Sequence, residues 1–252
     1  MKSYGHIKIL GMDEHTTLLE GDCREYFWMR RPPTPAPGAA VEPADLDKIH
    51  TVITDIPYGE ASDSARGGGR ERYRGQLREV GKGSENARTF DDEDIVRWLL
   101  MSDADSYYVF CSTEQAGILR RDFQAAGLST RTGVWIKTNP SPANGQHLWV
   151  NAAEVLIFAR EPRAFFHEDY HCKPLVWHEP VVHHSHRVVK TQKPVQIVRD
   201  MMIASTPPGG MVLDPFMGGG TVPFVARSEG FKCIGIELNA RRAKAAKERI
   251  GW

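Results

Sequence analysis

The feature that most constrains the fold is the stretch MVLDPFMGGGTVPFVARSEGFKCIGIE, at residues 211–237. A short apolar run ends at Asp214, glycines occupy positions 218–220, a helical pattern begins near Thr221, and a second apolar run ends at Glu237. Strand, glycine turn, helix and strand in this order predict a βαβ unit with two parallel strands. Parallel strands are covered by helices on both faces, so the sequence predicts an α/β fold.

The same alternation of apolar runs and helical patterns continues through most of the 252 residues. It predicts one domain around a mostly parallel, twisted, seven-stranded sheet with helices on both faces. A chain of this length with 41% hydrophobic residues can bury the core that such a sheet requires. The predicted strands are 17–19, 52–54, 106–111, 133–137, 154–159, 211–214 and 232–237, and the predicted helices are 92–101, 114–126, 193–204, 222–229 and 240–250.

The overall charge of the chain does not indicate a partner. The 32 basic and 32 acidic side chains cancel, so any nucleic-acid site has to come from local patches. The four cysteines are scattered, the first ten residues lack a long apolar run, and no stretch approaches membrane-spanning length. These features favour a reduced, cytoplasmic, soluble protein with no membrane partner.

The acidic residues at the two strand ends favour a nucleoside cofactor that also carries an ammonium group. Glu237 lies 23 residues after Asp214, near the spacing at which an acidic residue accepts hydrogen bonds from ribose hydroxyls. The glycines follow D-P-F-x-G-x-G-T instead of the G-x-G-x-x-G pattern of pyrophosphate-binding turns. Because a carboxylate such as Asp214 suits an amino-acid moiety, the predicted ligand is S-adenosyl-L-methionine. Purely structural glycines are the alternative for the turn.

A second acidic turn, TDIPYG at residues 54–59, follows directly on the buried run IHTVIT. This turn, VLDPFMGGGT and TQKPVQIVRDMM together resemble the amino-methylating DNA methyltransferases, which carry D-P-P-Y, S-P-P-Y or N-P-P-Y at the catalytic strand end. LLEGDCREYF, GVWIKTNPSP and NAAEVLIFAR are also similar to family segments, so the resemblance covers nearly the whole chain. The catalytic motif precedes the cofactor motif, as in the circularly permuted β group.

This resemblance implies a Rossmann-like methyltransferase fold and a site-specific activity on DNA. The methyl group of S-adenosyl-L-methionine would pass to the exocyclic N6 amine of an adenine that is flipped out of double-stranded DNA. The resemblance also implies a homodimer, a place in restriction and modification, and a bacterial or phage origin.

The resemblance assigns the catalytic tetrapeptide to Asp55, Ile56, Pro57 and Tyr58. Asp55 and the Ile56 carbonyl would accept the two amine hydrogens, and Tyr58 would stack on the base. Ile56 stands where the family usually has proline, so the turn loses a fixed φ and its surroundings must hold it. Aspartate at the first position favours adenine N6, whereas serine would favour cytosine N4.

The resemblance also implies cofactor contacts from several segments. Asp22 would hydrogen-bond the adenine amine of the cofactor, and Lys193 would face its carboxylate. An ordinary lysine at a helix start is the alternative for Lys193. The expected cofactor residues are Asp22, Cys23, Lys193, Asp214, Phe216, Gly218, Gly220, Thr221, Glu237, Leu238 and Asn239.

DNA contacts are expected from two segments. The first is an arginine-bearing, glycine-rich loop at 60–90, expected to be mobile, for which a solvated surface loop is the alternative. The second is a histidine-rich target-recognition insert at 161–190, with Trp177 in the core of that small unit. It would separate the catalytic half, 1–160, from the cofactor-binding half, 191–252. The expected DNA-binding residues are Arg66, Arg70, Arg72, Arg74, Lys173, His183 and His184.

The sequence also bears on other functions. A dehydrogenase would need the dinucleotide glycine spacing, and cytosine C5 methylation would need a cysteine after a proline; the chain has neither. A zinc site at His171, Cys172, His178 and His183 lacks a second cysteine pair, so no metal is predicted. Methylation of cytosine N4, of RNA or of a protein glutamine stays open, as does a catalytically decayed DNA-binding protein with the same fold.

Overall fold

The computed structural model describes residues 7–30, 48–57, 92–140, 149–183, 185, 187–189 and 191–252. The strands are β1 (Lys8–Met12), β2 (Thr16–Glu20), β3 (Ile49–Asp55), β4 (Ser106–Cys111), β5 (Ser129–Lys137), β6 (Ala153–Arg160), β7 (Val176–Glu179), β8 (Met211–Asp214) and β9 (Lys232–Glu237). The helices are α1 (Cys23–Arg30), α2 (Asp92–Leu100), α3 (Thr113–Ala125), α4 (Val195–Ser205), α5 (Thr221–Glu229) and α6 (Ala240–Arg249). A short 3-10 helix occupies Glu168–Tyr170.

These strands form one sheet in the order β1-β2-β9-β8-β3-β4-β6-β5-β7. Pairing is parallel from β2 through β9, β8 and β3 to β4, and again between β5 and β7. It is antiparallel at β1–β2, β4–β6 and β6–β5. The sheet is mostly parallel as predicted, but the predicted count of seven strands is wrong, because the described residues contain nine.

The two missed strands lie at the edges of the sheet. β1 leaves Ile9 and Met12 exposed, and β7 has only four residues. Neither strand is buried on both faces, which is the condition under which a short apolar run marks a strand. The helix α1 was also missed, since CREYFWMR has only a weak helical period.

Neighbouring side chains of the central strands point to opposite faces of the sheet. In β4, Tyr107 packs into a core on one face and Tyr108 into a core on the other. The first core includes apolar side chains of α1, α2 and α3, and the second includes those of α4 and α5. The prediction of helices on both faces is confirmed.

The five predicted helices are present, with ends within two residues of the prediction. The largest shift concerns α4, which begins at Val195 instead of Lys193. Pro194 disfavours helical conformation in the residue before it, so Lys193 lies in the preceding loop. Within the described ranges, no helix is long and apolar enough to cross a membrane.

The histidine-rich segment 161–190 is attached to the main sheet. Trp177, in β7, donates from Nε1 to Oδ2 of Asp200 in α4 (3.0 Å), and Tyr170 donates to Oδ1 of the same carboxylate (3.1 Å). Trp135 in β5 donates from Nε1 to the carbonyl of Glu179 (2.8 Å). Trp177 thus packs against the second core of the domain, and its expected place in a separate small core is wrong.

Candidate active site

Two acidic residues that are distant in sequence meet at one edge of the sheet. β3 lies between β8 and β4, and the three strands run parallel, so their carboxyl ends share this edge. Asp55 ends β3 and Asp214 ends β8. The Thr54 hydroxyl donates a hydrogen bond to Oδ1 of Asp214 over 2.8 Å. The two acidic turns therefore form one site, at the position where ligands bind in open α/β sheets.

Asp214 is buried, with 4% of its surface exposed. Burial raises the pKa of Asp214 to about 7, and the nearby charges of Asp55 and Glu237 act in the same direction. Hydrogen bonds from Thr54 and from the backbone N–H of Phe216 (3.1 Å) oppose this shift. Near pH 7 this carboxyl group is therefore close to its midpoint of ionisation, and a bound cation would favour its charged form.

The glycine turn between β8 and α5 is fastened to Glu237. The Gly218 N–H donates to Oε2 of Glu237 (3.0 Å), and the Asn239 N–H donates to Oε1 (2.8 Å). Gly218 and Gly220 have φ of 52° and 71°, in the left-handed region that favours glycine. A Cβ on Gly218 would have its nearest neighbour at 3.9 Å, whereas one on Gly220 would lie 2.8 Å from Cβ of Ala246. A Cβ on Gly218 would thus make only ordinary contacts, whereas Gly220 allows close helix packing.

Other predicted cofactor residues flank this turn. Burial raises the pKa of Glu237 despite the hydrogen bonds that it accepts. Thr221 is buried and accepts a hydrogen bond from Arg249 (2.9 Å), and the side chain of Leu238 is 40% exposed beside Glu237. Asn239 caps α6 by accepting from the backbone of Arg241 (3.1 Å). The ligand contacts of these residues stay predictions.

Asp22 and Cys23 lie at the end of the adjacent strand, β2. The Gly21 N–H donates to the carbonyl of Glu237 (3.0 Å) and joins this loop to the end of β9. The Asp22 carboxylate accepts from Nε of Arg24 (2.9 Å to Oδ2) and forms an ion pair with its guanidinium. The Cys23 thiol is buried in the first core, and burial raises its pKa, so a ligand contact would have to come from its backbone.

The turn after Asp55 is held by Gln115, a residue that the sequence analysis missed. Gln115 is buried; its Nε2 donates to the Pro57 carbonyl (3.0 Å), and its Oε1 accepts from the Ser112 N–H (3.0 Å). Ile56 is also buried, and its N–H donates to the Phe110 carbonyl (3.3 Å). The expectation that the surroundings fix this turn is thus met by named contacts. The signal for Gln115 was the capping box of α3, visible as STEQ at 112–115.

Lys193 lies directly against the Asp55 carboxylate. Its Nζ is 2.7 Å from Oδ2 of Asp55 and 3.1 Å from Oε2 of Glu154, which is a second residue that the sequence analysis missed. Burial would lower the pKa of Lys193, but the charges of Asp55 and Glu154 outweigh it and the pKa is raised. Its expected contact with the cofactor carboxylate stays a prediction.

The structure covers part of the predicted DNA-binding set. Lys173 is exposed over the ring of Tyr170, and the exposed His183 contacts the Ser185 hydroxyl (2.8 Å). In the described part of the chain, no group of three or more His, Cys, Asp and Glu side chains is arranged to hold a metal ion. The predicted residues Tyr58, Arg66, Arg70, Arg72, Arg74 and His184 lie outside the described residues.

Comparisons with known proteins agree with this architecture. The family model described as DNA methylase matches residues 49–248. The type II methyltransferase M2.LlaDCHI of Lactococcus lactis subsp. cremoris is 25% identical over 228 residues, which are 81% of this chain and 85% of that protein. Among solved structures, the M1.HpyAVI–SAM complex has a TM-score of 0.65 at 18% identity and covers 94% of this chain and 100% of its own. The PvuII DNA methyltransferase, described as cytosine-N4-specific, has a TM-score of 0.65 at 14% identity and covers 98% and 90%.

The chain therefore belongs to the DNA methylase family. It is a DNA methyltransferase whose methyl donor is S-adenosyl-L-methionine, and the expected Rossmann-like methyltransferase fold is confirmed.

The raised pKa of Asp214 predicts a specific pH dependence of stability. A protonated Asp214 stabilises the fold fully below the unfolded pKa of 3.8, and this contribution is lost as the pH rises to about 7. Asp214→Asn removes this titration, so its free energy of unfolding should gain roughly 4 kcal/mol relative to wild type between pH 4 and pH 8. Urea unfolding of both proteins across this range measures the change. A difference between them that is constant with pH would contradict a raised pKa.

Gln115→Ala should slow methyl transfer, and this loss should exceed what the loss of the α3 capping box alone produces. The variant loses both the α3 capping box, worth about 1 kcal/mol, and the bond to the Pro57 carbonyl. Ser112→Ala is a matched control, because it breaks the same capping box and leaves the Pro57 bond. We expect similar losses of stability in both variants and a roughly tenfold or larger loss of kcat in Gln115→Ala alone. Equal kcat in the two variants would mean that Gln115 acts on helix stability only.

Proposed function

We propose that the chain transfers the methyl group of S-adenosyl-L-methionine to the exocyclic N6 amine of an adenine flipped out of double-stranded DNA. One observation carries the proposal: the hydrogen bond from Thr54 to Asp214 holds the Asp55 turn beside the glycine turn. A donor at the glycine turn and a base at the Asp55 turn would therefore be neighbours. Short, fixed separation of the reacting groups supplies several kcal/mol of catalysis.

The residues at the glycine turn fit the cofactor. Asp214 provides a carboxylate for the ammonium of the methionyl group, and its charged form gains stability from that cation. Glu237, at the end of the next strand, provides a carboxylate for ribose hydroxyls. The lack of a side chain on Gly218, at a φ of 52°, would let a ligand approach the backbone. When bound, the cofactor supplies an electrophilic methyl group on a positively charged sulfur.

The Asp55 turn supplies two acceptors for the hydrogens of an exocyclic amine. Lys193 donates to Oδ2 of Asp55, which fixes the orientation of the carboxylate that would accept from the base. Among the described residues, no donor bonds to the Ile56 carbonyl, which leaves it for the second hydrogen. Accepting both hydrogens directs the nitrogen lone pair out of conjugation with the ring. Asp55 and the Ile56 carbonyl would thus activate the amine without a covalent intermediate. The N–CH3 bond would form as the S–CH3 bond breaks, S-adenosylhomocysteine would leave, and the methylated amine would lose one proton to the Asp55 carboxylate or to solvent.

The target base has to leave the duplex, because its amine is engaged in base pairing. Tyr58 would stack on the extruded base, and Arg66, Arg70, Arg72 and Arg74 would contact phosphates. The segment 161–190, with Lys173, His183 and His184, would read the target sequence, between a catalytic half at 1–160 and a cofactor-binding half at 191–252. A homodimer, which would present a second copy of this segment, is part of the proposal.

Cytosine N4 is the second candidate for the methylated atom. The PvuII enzyme is described as cytosine-N4-specific, and its structure is similar over 98% of this chain. Asp55 at the first position of the tetrapeptide favours adenine.

Analysis of the methylated product decides between these bases. We expect N6-methyladenine when unmethylated double-stranded DNA is incubated with the protein and labelled S-adenosyl-L-methionine, then digested to nucleosides and analysed by mass spectrometry. Label in N4-methylcytosine would refute the adenine assignment. Cofactor binding with no labelled nucleoside would instead support the alternative of a decayed DNA-binding protein.

Substitutions at the two acidic turns should separate catalysis from cofactor binding. Asp55→Ala should lower methyl transfer by roughly a hundredfold or more and leave the cofactor Kd nearly unchanged. Asp214→Asn should weaken cofactor binding about tenfold or more, because a charge-assisted hydrogen bond is lost. Calorimetry at pH 8, where Asp214 is mostly ionised, measures both Kd values. Asp55→Asn, which keeps the side-chain shape, is the control for the loss of side-chain volume in Asp55→Ala. An equal loss of cofactor affinity in the Asp55 and Asp214 variants would contradict the assigned roles.

A further inference from the structure

Four charged side chains form a continuous row of ion pairs at the catalytic edge of the sheet. Lys137 Nζ lies 2.9 Å from Oε1 of Glu154, whose Oε2 lies 3.1 Å from Nζ of Lys193. Lys193 in turn lies 2.7 Å from Oδ2 of Asp55. The row therefore alternates in sign and ends on the proposed catalytic carboxylate.

The strand directions explain why these groups meet. β6 runs antiparallel to β4, so Glu154 near the start of β6 lies at the edge where β3 and β4 end. β5 runs antiparallel to β6, so Lys137 at its end reaches the same edge, and Trp135 pairs directly with Glu154. Lys193 enters from the loop before α4, and its Nζ lies 4.9 Å from the centre of the Phe110 ring in β4.

The two inner members of the row, Glu154 and Lys193, favour each other's charged form despite burial. Lys193 has 9% of its side chain exposed, and burial alone would favour its neutral form. Asp55 from β3, near Asp214 of β8, and Glu154 from β6 raise the pKa of Lys193. Burial would raise the pKa of Glu154 in the same way, but Lys193 and Lys137 lower it. A buried charge that loses its partner is strongly unfavourable, so the row acts as one unit.

We propose that Glu154 is a positioning residue for the methyl transfer: it fixes the Lys193 ammonium on Oδ2 of Asp55 and so sets the direction of the carboxylate that would accept from the target amine. The proposal rests on the proposed role of Asp55. Glu154 does not reach the base itself and acts through Lys193. Lys137 holds the second oxygen of Glu154, which sets the direction of that carboxylate.

The near-isosteric variant Glu154→Gln tests this arrangement in the full-length protein. We expect kcat on methylatable double-stranded DNA to fall tenfold or more, while the calorimetric Kd for S-adenosyl-L-methionine stays within threefold. Without the Glu154 charge, the pKa of Lys193 is lower, so the loss of kcat at alkaline pH should begin at a lower pH than in wild type. A role of Glu154 in folding alone would not shift this alkaline limb of the kcat–pH profile.

Lys137→Gln gives a second measurement at the outer end of the row. It removes a positive charge on the far side of Glu154, so its alkaline limb should stay at the wild-type position or move to higher pH. Asp105→Asn is the matched control, because it removes an ion pair with Lys48 (2.7 Å) at the opposite edge of the sheet. Its kcat and pH profile should equal those of wild type.

The outcomes separate this proposal from the proposed function. A Glu154→Gln enzyme with the wild-type alkaline limb, or with cofactor affinity reduced in parallel with kcat, overturns the role of Glu154. If Asp55→Ala retains transfer, the proposed function of Asp55 fails, whatever Glu154 does. If Asp55→Ala is inactive and Glu154→Gln is fully active, only the positioning role fails.

Discussion

The structure depends on the parallel pairing of β3 with β8 on one side and β4 on the other. Because parallel strands end at a common edge, this pairing brings Asp55 and Asp214 together although 159 residues separate them. The bond from the Thr54 hydroxyl to Asp214 then fixes one turn against the other. The circular order of the motifs has no consequence for the site, since only the strand order in the sheet decides which ends are neighbours.

The site places several carboxylates at one sheet edge, so their mutual repulsion has to be offset. Burial and the charges of Asp55 and Glu237 raise the pKa of Asp214 to about 7, so part of the repulsion is relieved by a proton until a cation binds. At Asp55 the repulsion is relieved by Lys193, which is itself held by Glu154. The two acidic turns therefore differ: Asp214 has a raised pKa, whereas Asp55 is paired with a cation of the protein, Lys193.

Contacts with neighbouring elements hold both the turn at Ile56 and the segment 161–190 in place. Ile56 lacks the fixed φ of proline, and Gln115 secures the turn by bonding to Pro57 while it caps α3. The histidine-rich segment 161–190 is held against the main sheet, because its β7 pairs with β5, and Tyr170 and Trp177 bond to Asp200 of α4. This attachment would keep a constant distance between the segment and the sheet edge that holds Asp55 and Asp214.

The sequence by itself determined the α/β class, seven of the strands, five helices, the two acidic turns and the family, because long apolar runs and local motifs depend on nearby residues only. It missed β1 and β7, whose stability comes from pairing at the sheet edges and not from their own apolar pattern. It also missed Glu154 and Gln115, since a charged or polar residue near an element end is ordinary until its partner is known. Only the tertiary structure decided that Lys193 pairs with Asp55, because that contact joins a loop before α4 to the end of β3, 138 residues away, and no local pattern encodes a contact of that range.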